Sequence, residues 1–420
     1  MLKNYIKIAI KVLLRHKLFT FISLFGISFT LMILIIIVSL VDHTFGKMAP
    51  ETRLDRTLSA TYFKFSHTDK HSSSNGPIMS YYFFHKYAKT LEIPKKVSIS
   101  SFHKNVETYK ENKKFKMALK YCDAEFWEIL DFTFLEGQPF NLTDVENINP
   151  VAVITRNVKE KYFNDEFCLG ENMMIDGINY IILGVVENIS ILRPLPYSDI
   201  WVPITNINED LLEPRLEAVS FPSYFALALA EKPADLPLIK EEFQNKITQM
   251  EFFNDMFNQL EGGFETYFET IAGVLFGRSS DGGANTSGLL VTILITMILF
   301  MLLPTINLVN INISRIMERS TEIGIRKAFG ASSVTLVGQF MIENIIITLI
   351  GGFLALIFSI VILHIINQAH VLRHVTLAIN WRIFYKSLLI CLFFSLFSGV
   401  WPAFKMSRFQ PVEALRGGQS

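Results

Sequence analysis

The sequence predicts a membrane protein of four transmembrane α-helices, with a large mixed α/β extracytoplasmic domain inserted between helices 1 and 2. Three observations carry that prediction. Half of the 420 residues are hydrophobic and mean hydropathy is +0.33, whereas only 19% are charged, below the quarter usual for soluble domains. The apolar residues gather into one long run near the start and three near the end, with a polar stretch between the first and second. Basic residues flank alternate ends of these runs, the arrangement that sets membrane orientation.

Residues 1–17 read as a cytoplasmic amphipathic helix. Lys3, Lys7, Lys11 and Arg15 recur every four residues and share one face, while Ile6, Ile10, Leu13 and Leu14 fill the others. Such a helix lies in the headgroup plane, or its charges serve only to orient the chain. Residues 18–41 hold no charged side chain. At ~1.5 Å per residue they reach roughly 36 Å, enough to cross a bilayer core of ~30 Å. A signal-peptide core has about 7–15 residues and ends at a small-residue cleavage site. This run is longer and lacks that site, so it reads as an uncleaved anchor.

Residues 42–287 then form the inserted domain, 288–313 the second span and 314–333 a cytoplasmic connecting helix. The third span is 334–366, a short extracytoplasmic loop covers 367–386, the fourth span is 387–404 and a cytoplasmic tail covers 405–420. The basic tail, the group Arg315, Arg319, Arg326 and Lys327, and the group Lys405, Arg408 and Arg416 all fall on one side of the bilayer if it is crossed four times. That side is cytoplasmic by the positive-inside tendency, with Arg373 and Arg382 running against it.

Within the inserted domain, Val151–Ile154, Tyr180–Val186 and Leu227–Ala230 read as strands. Asp176-Gly177 is a hairpin turn between Met173–Ile175 and the run from Ile178. Arg156–Phe163 and Leu236–Phe257 have helical spacing. His67–Pro77 reads as a loop and Gly277–Gly288 as a polar linker. Cys122 and Cys168 lie in this domain, where one bridge and two buried thiols are both compatible with the sequence.

The chemistry-bearing patterns are few. No G-x-x-x-x-G-K-S/T run occurs: the Gly46-Lys47 pair is followed by Met48, so the sequence carries no phosphate-cradling loop. There is no H-E-x-x-H, no G-x-S-x-G and no metal-spaced cysteine set. A formal net charge of zero gives no field for nucleic acid. His364, His370 and His374 sit close in sequence, where interfacial histidines are commoner than a metal site. Glu343 is the carboxylate inside a span, placed to snorkel or to pair with a basic neighbour. Pro304 and Pro402 should kink their helices, and Gly351-Gly352 permits close helix approach.

Four stretches together resemble the MacB/FtsX family of ABC transporter permeases, which includes LolC and LolE. They are Ala9–Ile27; Asn149–Ile154 with Ile175–Val186; Arg319-Ser-Thr-Glu-Ile-Gly-Ile-Arg-Lys-Ala-Phe-Gly-Ala-Ser332; and Gln410-Pro-Val-Glu-Ala-Leu-Arg416. The third is the most specific. Physically, Glu322 and Arg326 form an i,i+4 helical pair, Gly330 suits a helix end, and Ser332 or Ser333 can cap the next helix.

The resemblance implies that Glu322, Ile323, Gly324, Arg326, Lys327 and Gly330 form the coupling helix that docks onto a separate ABC ATPase subunit. ATP and Mg would then be bound by that partner and no cofactor by this chain, although MacB itself fuses its ATPase to the membrane part. It further implies a bacterial inner-membrane permease with both termini cytoplasmic, paired with a second copy or a paralogue. A periplasmic adaptor and an outer-membrane channel are further partners consistent with it. The implied activity is export or extraction of a client (peptide, drug or lipoprotein) by mechanotransmission, with no catalysis by this chain. The alternatives are an FtsX-like regulator of a cell-wall hydrolase, and a membrane-anchored sensor or scaffold without transport.

Overall fold

The computed structural model describes residues 14–290 apart from 16, 68–72, 76–78, 112, 208–209, 217–222, 251, 253–256 and 280–282. It also describes part of 291–306, all of 333–369, and separate residues between 377 and 396. Two compact units result: Thr44–Leu290, and a helical unit drawn from the sequence on either side of it.

Helix α1 (Lys17–Phe45) is apolar around its whole circumference. Phe21, Phe25 and Phe29 are exposed and stack on one another at 6.2 and 5.5 Å, the consequence of i,i+4 spacing. Two of its hydroxyls bond within the helix: Ser28 Oγ donates to the Phe25 carbonyl at 3.2 Å and Thr30 Oγ1 to the Gly26 carbonyl at 2.7 Å.

In the inserted unit, strands β1 (Thr57–Ala60), β2 (Phe63–Ser66) and β3 (Ser73–Asn75) precede helix α2 (Tyr81–Tyr87). Then come β4 (Lys96–Ser101), β5 (Lys104–Lys110), β6 (Lys113–Cys122), helix α3 (Glu125–Ile129) and β7 (Phe134–Gly137). Helix α4 (Leu142–Glu146), β8 (Val151–Thr155), helix α5 (Arg156–Tyr162), β9 (Asn172–Ile175) and β10 (Ile178–Val186) follow. The unit closes with β11 (Ile200–Pro203), β12 (Tyr224–Leu229), helix α6 (Leu236–Thr248), β13 (Gln259–Gly262) and helix α7 (Tyr267–Phe276).

Ten strands form one mixed sheet in the order β1-β12-β4-β6-β11-β8-β10-β7, with β5 on β6 and β9 on β10. The long strands β6 and β10 each serve two partners along one edge: β6 meets β5 over Lys113–Leu119 and β4 at Cys122, and β10 meets β9 and then β7. The parallel pairs are β6 with β11 and β8 with β10. Strands β8, β11 and β12 are buried along their whole length, as expected of central strands covered on both faces. A small sheet, β13-β2-β3, packs through Phe63 against Phe83, Phe84 and Phe243, so α2 and α6 share one aromatic cluster with it.

Strands β8 and β10, the turn at Asp176-Gly177 (φ +49° and +82°) and helix α5 stand where the sequence places them. Two expectations are corrected. The helix from Leu236 stops at Thr248 and not at Phe257; beyond it Phe252 and Phe257 both pack on Phe65 of β2. The 67–77 loop contains β3, recruited by pairing with β2. Cys122 and Cys168 are both free and buried.

Helix α8 (Thr286–Thr296) starts in the inserted unit and ends in the helical one, which also holds α9 (Ser333–Gln368). Ile27 and Leu31 of α1 pack on Ile347 and Ala355 of α9. Gly351 makes this approach possible, since a Cβ there would lie 2.7 Å from Ile27 Cγ2; Gly352 is close to Leu388 instead, with a Cβ 2.6 Å from its Cδ1. Glu343, Asn344 and Thr348 are buried on α9, so of the two arrangements expected for Glu343, snorkelling or pairing, the outward snorkel is not the one seen. Most of the α1 and α9 surface, including Phe25, Leu349, Phe353 and Val361, is apolar and exposed, which in water would be a large unsatisfied patch and in lipid is the ordinary state. Two described helices, Thr20–Phe45 and Met341–Gln368, are long and apolar enough to cross a bilayer. Pro304, Pro402, His370 and His374 lie outside the described residues, and no metal-holding cluster occurs among the described ones.

Gly137 on β7 has φ +67°, and a Cβ there would lie 2.1 Å from the Leu183 carbonyl oxygen. Gly177 has φ +82° but open space around it. Gly137→Ala should therefore cost about 2–4 kcal/mol and Gly177→Ala about 1 kcal/mol, read as shifts in the unfolding midpoint. Equal costs would remove the close approach of β7 and β10 as the cause.

Candidate functional site

The residues implied for coupling, Glu322, Ile323, Gly324, Arg326, Lys327 and Gly330, all lie outside the described residues. What the structure does bring together is a polar junction where the inserted unit holds both of its leads: the segment after α1 and the segment from Glu265 through α7 to Arg278.

The outgoing lead is held first by Arg193. Its side chain is 1% exposed and that of Glu51 3%, and Arg193 Nη1 donates to Glu51 Oε2 at 2.7 Å. Arg193 Nη2 donates to the Gly46 carbonyl at 2.6 Å, so one planar guanidinium grips the lead at two points. The lead is held a second time farther on. Arg53 and Thr52 both bond the Asp131 carboxylate, Arg53 Nη1 reaches the Glu128 carbonyl at 2.7 Å, and the Asp131 amide donates to the Pro50 carbonyl at 2.8 Å. Burial raises the Glu51 carboxyl above its ordinary value, and the attraction of Arg193 only partly offsets that.

The returning lead is fixed in parallel. Ser59 and Glu265 exchange backbone hydrogen bonds at 2.8 and 2.9 Å. Thr266 caps α7 in a reciprocal box with Glu269. Arg278 pairs in two-pronged fashion with Glu265 and lies 3.9 Å over the Tyr62 ring. The two leads also meet: Phe45, the last residue of α1, packs edge-on against Tyr267 at 5.8 Å.

Lys120 of β6 completes the junction. It is fully buried and donates to the carbonyls of Leu195 at 2.7 Å and Ser101 at 3.2 Å. Burial pushes its ammonium down to about 7, with the Cys122 thiol and Glu51 pulling the other way. Loop 190–197 thus supplies Arg193 to the outgoing lead, the Leu195 carbonyl to Lys120, and the Leu192 carbonyl to the Tyr267 hydroxyl at 3.2 Å.

These residues were not singled out from sequence. Lys120 carried a usable signal, since it interrupts the apolar run from Met117 to Cys122 in a strand. Arg193 and Glu51 carried none, as each is one charge in a polar stretch and they are far apart in the chain.

Comparison with known proteins assigns the framework. Residues 20–246 match the MacB-like periplasmic core domain, and residues 294–411 match the FtsX-like permease C-terminal domain. The chain belongs to the MacB/FtsX-like ABC permease family. The macrolide export ATP-binding/permease protein MacB of Pasteurella multocida is 26% identical over 69% of this chain and 41% of its own length. The ABC transporter permease YknZ of Bacillus subtilis is 24% identical over 67% of this chain and 65% of its own. The chain thus spans about two fifths of the first relative and just under two thirds of the second. The permease YvrN of Bacillus subtilis is 20% identical over 98% of this chain and 99% of its own length. In this family setting the α/β unit between an N-terminal apolar helix and later helices fits an extracytoplasmic domain, and the residues described above form the junction of that permease domain with its leads.

Two outcomes follow. Arg193→Ala strands Glu51 in the interior and should cost about 3–5 kcal/mol, whereas Arg193→Met with Glu51→Leu should recover most of the loss; a thermal double-mutant cycle measures both. The Lys120 ammonium, ordinarily at 10.5, is held near 7 in the folded chain, so the unfolded chain binds more protons between those values. Wild type should accordingly gain stability relative to Lys120→Met, by up to about 1.4 kcal/mol per unit, as pH rises from about 7 to 10. Below pH 7 the difference should be flat.

Proposed function

We propose that this permease crosses the inner membrane of a bacterium four times and transmits ATP-driven motion from a separate ATPase subunit to its extracytoplasmic domain. The observation that carries the reading is the junction: the outgoing lead is held by the buried Arg193–Glu51 pair, and the returning lead by the Ser59–Glu265 backbone bridge and by Arg278 over the Tyr62 ring. A displacement of the helices those leads continue into is therefore passed to the domain instead of being absorbed in slack chain. The basic flanks support the orientation, with the 314–333 segment and both termini on the cytoplasmic side.

In this reading Glu322, Ile323, Gly324, Arg326, Lys327 and Gly330 form the surface that meets the ATPase, with Glu322 and Arg326 offering it charges of both signs. Closure of the ATPase pair on ATP pushes this segment, the spans tilt, and the domain acts on a client outside the membrane. The spans lack the polar stripe that a route through the helices would need. ATP and Mg are held by the partner, and a second copy or a paralogue completes the pair. The client is a peptide, drug or lipoprotein that is exported or extracted by the stroke.

The test is the purified complex with its ATPase, carrying Glu322→Ala together with Arg326→Ala. Association should weaken by about tenfold, or ~1.4 kcal/mol, and stimulation of ATP hydrolysis should be lost. Unchanged association with unchanged stimulation would overturn the coupling role.

A further inference from the structure

Between β2, loop 190–197 and α7 lies a cleft of about 760 Å³, within the range of small-molecule sites. Its fixed side is formed by Tyr62, Phe102 and Leu195, and its other side by Tyr267, Ile271 and Val274 of the returning lead. Val274 is 74% exposed there, an apolar side chain with no covering in the domain.

The charges at the rim are already answered. Lys64 pairs with Glu261 at 2.7 Å, and Arg278 is held by Glu265 and the Tyr62 ring. An anionic ligand or a lipid phosphate would have to break one of these pairs, whereas a neutral ligand would not. Thr61, Thr270 and Ser279 bring hydroxyls to the same lining. Gly273 keeps Arg278 folded back, since a Cβ there would lie 2.7 Å from the guanidinium carbon.

We infer that this cleft is a binding site for a neutral, mainly apolar small molecule that carries hydrogen-bonding groups. Because one wall is the returning lead, the site opens or narrows with any movement of that lead; this coupling rests on the mechanotransmission reading above, whereas binding itself does not.

The test uses the full chain in phosphatidylcholine nanodiscs and benzophenone, a neutral apolar photoreactive probe with one carbonyl acceptor. After irradiation, adducts are mapped by peptide mass spectrometry. Label is expected on peptides containing Tyr62 and residues 267–279, and its loss is expected in both Val274→Trp and Ser279→Trp. Both substituted side chains are exposed, so neither disturbs the core, and thermal melting checks the fold of each variant. The inference is overturned if label is confined to the membrane spans, or if it persists on those peptides in a folded Trp variant. Label that appears in delipidated detergent but not in nanodiscs would assign the cleft to a phospholipid chain and overturn the small-molecule reading. The Glu322 and Arg326 variant separates the two proposals: it should retain the label even where ATPase stimulation is lost.

Discussion

A guanidinium removed from water needs an opposite charge beside it, and that requirement organises the base of the extracytoplasmic domain around Arg193. Its fork reaches the Glu51 carboxylate and the Gly46 carbonyl together, a geometry that a single ammonium on a flexible stem does not reproduce. The desolvation cost makes the pair a poor source of net stability. What it provides is a unique placement of the chain leaving α1, because any other register would leave a charge buried without its partner. The same loop receives the Lys120 ammonium and the Tyr267 hydroxyl on its carbonyls, so three elements distant in sequence are referenced to one short stretch of backbone.

That arrangement bears on how force could cross the domain. A linker of glycine and serine between a helix and a sheet would dissipate displacement as entropy. Here the outgoing lead is clamped twice within residues 46–53, and the returning lead is clamped by the Ser59–Glu265 bridge and then by Arg278 over the Tyr62 ring. The aromatic contact of Phe45 with Tyr267 makes the two leads neighbours, so neither shifts without disturbing the packing of the other. A ten-stranded sheet with fully buried central strands is the stiff body to which they attach.

Much of the architecture could be read from the chain because its signals are local. Strand β8, the β9–β10 hairpin and helix α5 follow from β-branched runs, a turn dipeptide and helical spacing within a few residues of one another. Local pattern failed where a distant partner decided the outcome. Periodicity carries a helix to Phe257, but it ends at Thr248, and Phe252 and Phe257 beyond it pack on Phe65 of a distant strand. Ser73–Asn75 has loop composition and becomes a strand only because the edge of β2 is available. The junction was illegible for the same reason: Glu51 and Arg193 acquire meaning from a contact spanning most of the domain's length.

The glycine pair on α9 extends the argument into the helical unit. Lipid offers no hydrophobic drive for helices to associate, so contact between them depends on close packing, and Gly351 supplies it by admitting Ile27 where a Cβ could not fit. Helix α1 is unbroken from Lys17 to Phe45, roughly 43 Å at ~1.5 Å per residue. It therefore carries a tightly packed contact at Ile27 and, toward its end, the ring that packs on Tyr267. Arg193 fastens the chain immediately beyond the end of that helix, at the Gly46 carbonyl.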